Sequence, residues 1–288
     1  MIPWRKMSKL RGPRGQSWSG LGQRGRRDPG VQAQRLDKRL NVLHRKMEEA
    51  DEESLTSYNK MLEFSWIFHD SALEGVVYNM EELRQALDDE VTTDTSLIPV
   101  YDEIRQNKAA IELIRELSQK KRLNISLEVI KKIYATLAPE EVEGKNPPKY
   151  RKDMPLHRMY FHDIAPPEKI SYKMRQLVQW MNAAETKRAT HTLRLAAKAH
   201  HQLLHIYPFP KMSGKVARLL MNLILLRGNY PPAVIHATER QRYYDALKTS
   251  DNATAKVVTE ALIASMDSAI RFFEEEDKAR EGRRARSA

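Results

Sequence analysis

The 288-residue sequence contains no cysteine. That absence excludes disulfides, thiolate catalysis and cysteine-ligated zinc or iron-sulfur centres, and it fits a reducing, cytoplasmic setting. No apolar run approaches the roughly 20 residues that cross a bilayer, and no apolar segment follows the charged N-terminus. Neither a membrane span nor a leader peptide is predicted, and no membrane partner is expected. No internal repeat at solenoid spacing is present. What the chain does have is 41% apolar residues, enough for a real core, and a formal charge of +11.

That charge is unevenly placed. Residues 1–40 carry eleven Lys and Arg against Asp28 and Asp37, leaving 38 basic and 36 acidic residues in the rest of the chain. The body is close to neutral. The Gly/Arg/Pro/Ser-rich stretch at 1–30 therefore reads as a disordered basic arm, able at most to touch nucleic-acid phosphates non-specifically.

Beyond Pro29 the apolar residues recur at helical spacing. Leu36, Leu40, Leu43 and Met47 predict one helix over about 31–50, and Leu55, Tyr58, Leu62 and Trp66 predict another over about 55–73. Asn79 and Ser126 read as caps of further helices, with a long helix over 97–119 between them. From Pro139 to Pro167 the period fails, and alternating apolar positions around Met159 to Ile164 predict a small β-hairpin. Helices then follow at about 168–184, 189–206, 214–227, 238–249 and 253–276, with a charged tail at 277–288. The predicted fold is all-α, with N-terminal helices over 31–90 and a core domain over 91–276.

The informative stretch is HHQLLHIYPFPKMSGKVARLLMN, from His200 to Asn222. Pro208 should stop the preceding helix near Ile206, Phe209 can pin a tight loop to the core, and Ser213-Gly214 open a nearly all-apolar helix. Such a layout points backbone N–H groups at whatever lies above the loop, and an anion is welcome there.

Here the chain resembles the Fic (Fido) family, whose central motif reads HPFxDGNGRxxR; this sequence has YPFPKMSGKVAR. The run LHRMYFHDIAPPEKISYKMRQLVQWMN is similar to that family's target-docking flap, and RGNYPPAVI and ERQRYYDAL to its closing segments. The resemblance covers about residues 55–250. It implies a Fic-type helical domain with a hairpin flap, a protein target, and transfer of AMP from a nucleotide to a protein hydroxyl.

Departures from the motif change that expectation. The family's histidine removes the proton from the target hydroxyl, whereas Tyr207 is a phenol with an ordinary pKa of about 10 and a poor base at neutral pH. The acid that holds magnesium is replaced by Lys211, which repels a metal, so a nucleotide such as ATP is expected to bind, if at all, without magnesium, and no metal ligands are predicted. Met212 stands at a glycine, Ser213 at the asparagine, Gly214 is kept, Lys215 replaces an arginine, and Arg218 is intact. The phosphate-binding candidates are thus Lys211, Ser213, Gly214, Lys215 and Arg218. Their cations sit near a helix N-terminus, where they oppose the dipole unless an anion compensates. They read equally as a surviving anion site or as lysines that accumulated in a loop freed of its chemistry.

DSALEG, Asp70 to Gly75, resembles the family's autoinhibitory pattern S/T-x-x-x-E-G/N, with Asp70 at the Ser/Thr place. It implies Glu74 as inhibitory and pairs it with Arg218. His200, His201 and His205 read as a core histidine and two polar residues on a helix face, not as a base or metal ligands. Three functions are compatible with these residues. They are a Fic-fold pseudoenzyme acting through interaction, a divergent transferase moving a phosphate-linked group with another base, and a nucleic-acid-associated protein using the basic arm.

Overall fold

The structure, a computed structural model, describes residues 29–88, 94–142, 144, 146–155 and 162–287. Eleven α-helices are described. In chain order they are α1 (Pro29–Glu49), α2 (Glu52–Leu73), α3 (Met80–Leu87), α4 (Ile98–Gln119), α5 (Leu127–Leu137), α6 (Pro167–Asn182), α7 (Ala184–Ala189), α8 (Thr192–Ile206), α9 (Ser213–Arg227), α10 (Arg240–Thr249) and α11 (Asp251–Ser287). No strand occurs among the described residues. Of the hairpin predicted around Met159 to Ile164, residues 159–161 lie outside the described residues and 162–164 are not strand; of the basic arm predicted over 1–30, residues 1–28 lie outside them and 29–30 open α1.

Local signals set most boundaries. Asp51 caps α2 by accepting from Ser54 N, and Asn79 and Glu82 form a reciprocal capping box at α3. Ser126 caps α5, as its position in the sequence predicts. The last helix departs from expectation, because it does not stop near 276 but runs to Ser287. Two ion pairs fasten that extension to the N-terminal helices: Lys46 Nζ to Asp277 at 2.8 Å, and Arg280 to Asp51.

Helix α9 is the axis of the molecule. Every residue from Ser213 to Leu226 is buried, and α4, α5 and α8 pack around it. A helix apolar all round belongs at the centre of a bundle, and each leucine buried there contributes about 1.5–3 kcal/mol. Helix α11 closes the far side against α1, α8 and α10. The consequence for function is positional: the N-terminus of α9 is held rigidly, and polar residues at its first turn must find partners inside the protein.

Candidate functional site

The 207–212 loop joins α8 to α9 and is fixed from three sides. Pro208 ends α8 as expected, but Tyr207 is not extended. It adopts the left-handed conformation (φ 48°, ψ 64°), and its N–H still reaches Leu203 O at 2.8 Å. A left-handed cap keeps the last helical hydrogen bond while turning the chain sharply, which the extended geometry favoured before proline would not do. Phe209 is fully buried and stacks on Tyr134, ring centroids 4.0 Å apart and nearly parallel. Met212, at a motif glycine, also has positive φ (57°), a conformation costing an L-residue about 1–2 kcal/mol.

Arg151 holds the third side. Its guanidinium is buried and donates from Nε to Tyr207 O at 2.6 Å, from Nη2 to Ile206 O at 3.3 Å and to Ala165 O, and from Nη1 to Asp153 O at 2.8 Å. Its own N–H donates to Pro208 O at 2.9 Å. A cation at the C-terminal end of α8 meets the negative end of that helix, and the carbonyls stand in for an acidic partner. Burial lowers the Arg151 pKa.

The predicted phosphate-binding residues do not form one open cradle. Ser213 is spent inside the loop, its Oγ accepting from Phe209 N at 2.9 Å and donating to Phe209 O at 3.1 Å. Lys211 lies at the rim, paired with Glu140 and, at 3.7 Å, with Glu141. Tyr207 is buried, 2% exposed. Gly214, Lys215 and Arg218 do come together, and carboxylates meet them. Lys215 Nζ donates to Glu103 at 2.9 Å and to Ser71 Oγ at 3.2 Å.

Arg218 is the centre. Nη2 donates to Glu74 Oε1 at 2.9 Å, Nε donates to Asp70 Oδ1, and Nη1 reaches Tyr243 OH at 3.5 Å. Burial opposes the guanidinium charge, but Asp70, Glu74 and Tyr243 more than offset it, and the pKa stands well above its ordinary value. Glu74 is the C-cap of α2, and Gly75 (φ 92°) turns the chain immediately after it. Arg240 Nε and Tyr244 OH both donate to Leu73 O, at 3.0 and 3.1 Å, fixing that helix end. A Cβ on Gly214 would lie 2.0 Å from Glu74 Oε1, so only glycine leaves room for the carboxylate. At the first turn of α9 the Glu74 carboxylate therefore lies against Gly214 and pairs with Arg218.

The histidines stay out of this chemistry. His200 is fully buried, shares a 2.9 Å hydrogen bond with Tyr243 OH, and has its pKa lowered well below 6.5 by burial and then by Arg218. His201 Nδ1 is 2.9 Å from Thr254 Oγ1, and His205 Nε2 donates to Leu247 O at 3.1 Å. Among the described residues no group of three or more His, Cys, Asp or Glu could hold a metal.

Sequence reasoning missed Glu103, Glu140 and Glu141 as partners of the loop lysines, and missed Asp70 as a ligand of Arg218. Only Asp70 carried a readable signal. It lies four residues before Glu74 on α2, hence on the same face.

Comparison with known proteins gives this geometry its context. Residues 124–225 match the family model described as "Fic/DOC family". The chain is similar to protein adenylyltransferase Fic of Culex quinquefasciatus, 30% identical over 220 residues, which are 76% of this chain and 42% of that protein. It is likewise similar to protein adenylyltransferase Fic of Aedes aegypti, 29% identical over 187 residues, 64% of this chain and 36% of that one. The chain thus spans about two-fifths of the length of the curated relatives it matches. Its fold is the all-α Fic fold. A Fic domain containing signaling protein from Bacteroides thetaiotaomicron superposes with a TM-score of 0.71 at 22% identity, covering 85% of this chain and 98% of that one. Fic-1 from C. elegans gives 0.72 at 21% identity, covering 86% and 74%.

Proposed function

We propose, from the premise that this chain belongs to the Fic/DOC family through residues 124–225, that it is a Fic-fold protein without the family's AMP transfer to hydroxyls. It keeps a phosphate site that its own carboxylates hold shut, and it acts by binding a protein partner.

The observation that carries this reading is the seat of Glu74. Its carboxylate pairs with Arg218 at 2.9 Å directly above Gly214, where a phosphate would use the helix N-terminus and the guanidinium fork. A nucleotide phosphate and Glu74 compete for one place. The chemistry of transfer lacks its parts as well. Proton removal from a hydroxyl needs an accessible base near neutral pKa, and position 207 offers a phenol buried to 2% exposure. Lys211, engaged with Glu140 and Glu141, offers no oxygen to a metal. When the carboxylates on Arg218 are displaced, the backbone at Gly214 together with Lys215 and Arg218 would take a phosphate-bearing nucleotide, with ATP the first to test, independently of magnesium.

The test is incubation of the purified protein with labelled ATP, GTP, UTP and CDP-choline, in the wild-type chain, in Glu74→Gly and in Glu74→Gly combined with Asp70→Ser. No covalent label is expected on any of these proteins or on added acceptors. Label transfer that Arg218→Ala abolishes would overturn the reading and make the chain a divergent transferase.

A further inference from the structure

Glu74 is not alone on Arg218. We infer that Asp70 is a second, independent inhibitory carboxylate, so that releasing Glu74 by itself leaves the anion site closed; this rests on the reading of that site as a phosphate site.

The geometry divides the guanidinium between the two acids. Glu74 takes Nη2, whereas Asp70 takes Nε with its side chain, and its backbone carbonyl accepts from Nη2 at 3.3 Å. The two acids differ in position. Glu74 is the terminal cap, beside a glycine at positive φ, whereas Asp70 lies one turn inside α2; both side chains are buried against Arg218. Both sit at the negative end of a helix whose last turn has no basic residue of its own, and Arg218 pairs with each of them.

Charge counting gives the functional consequence. The buried cations are Lys215 and Arg218, and the carboxylates on them are Asp70, Glu74 and Glu103. The cluster carries a surplus of one negative charge and repels a phosphate. Removing Glu74 brings it only to neutrality, with Arg218 still paired through Nε and Lys215 still paired with Glu103. Removing the Asp70 carboxylate as well leaves one positive charge and a guanidinium released by both acids at the N-terminus of α9, the arrangement an anion requires.

The experiment reads Arg218 directly. Phenylglyoxal labelling of the full chain, located by mass spectrometry, is compared in wild type, Glu74→Gly, Asp70→Ser and the double variant. Arg218 should stay protected in both single variants and react about tenfold faster or more in the double. Equal labelling in Glu74→Gly and in the double variant would overturn the inference. Asp70→Asn with Glu74→Gln, which preserves side-chain volume, should label like the double variant, and circular dichroism separates unfolding from release. Pyrophosphate and magnesium-free ATP are then titrated into the double variant. If labelling follows the expected pattern and neither ligand binds, the phosphate-site reading falls while the second carboxylate stands.

Discussion

Glu74 and Gly214 lie 140 residues apart in the chain, and the carboxylate of the first fills the space a side chain on the second would need. Gly214→Ala would place its Cβ 2.0 Å from Glu74 Oε1. We expect a loss of about 1–3 kcal/mol, as for other insertions into a packed site. In a Glu74→Gly background the same substitution should cost much less. A double-mutant cycle by urea denaturation should return a coupling of about 0.5–3 kcal/mol; additive effects would show that the carboxylate does not sit on the glycine.

Arg218→Met removes a cation that Asp70 and Glu74 share. Two buried carboxylates then face each other at the end of α2, a loss of about 3–5 kcal/mol in denaturant unfolding. Adding Asp70→Asn and Glu74→Gln should recover most of it. Failure to recover would mean that packing, not charge, was lost.

Arg151→Met withdraws donors from Tyr207 O, Ile206 O and Ala165 O together. Unpaired buried carbonyls cost about 1–3 kcal/mol each, so a loss of about 3 kcal/mol or more is expected. Amide exchange in the 207–212 loop should rise ahead of exchange in the centre of α9. Arg151→Lys, a single point donor in place of a fork, should recover only part.

Stability should fall as pH drops from about 7 to about 4. Burial, followed by the neighbouring His236, lowers the His69 pKa to about 4, and burial followed by His205 does the same for His201; burial holds His200 well below 6.5. Between the unfolded value of 6.5 and the folded values, the unfolded chain binds more protons, so acid favours unfolding. Urea midpoints measured across that range should decline. His69→Asn and His201→Gln should each flatten the decline, and an unchanged slope would refute the assignment.

The sequence made the helices legible because apolar spacing, caps and prolines act locally. Asn79, Ser126 and Pro208 mark element ends within a turn of where they stand. It also made the altered loop legible, since each departure from the motif is a residue type at a known place. The αL turn at Tyr207 was not legible, because a residue before proline is usually extended and only the hold of Arg151 and the Leu203 carbonyl makes the turn favourable here. The extension of α11 was missed for a related reason: the charged run from 277 has no apolar stripe, and its docking depends on Lys46 and Asp51 from the opposite end of the chain.

The sequence by itself determined a helical protein with a central buried helix and a proline-ended loop before it, in which Tyr207 and Lys211 stand where the motif it resembles has a histidine and an acid. Only the tertiary structure decided the state of the loop's cations. Lys211 is neutralised from 71 residues away, Lys215 from 112 and Arg218 from as far as 148. Helical periodicity tells which residues share a face, but not which face of another helix will meet it. Whether a buried charge binds a ligand or an internal partner is therefore settled where the helices pack, by the desolvation that forces each charge to find one.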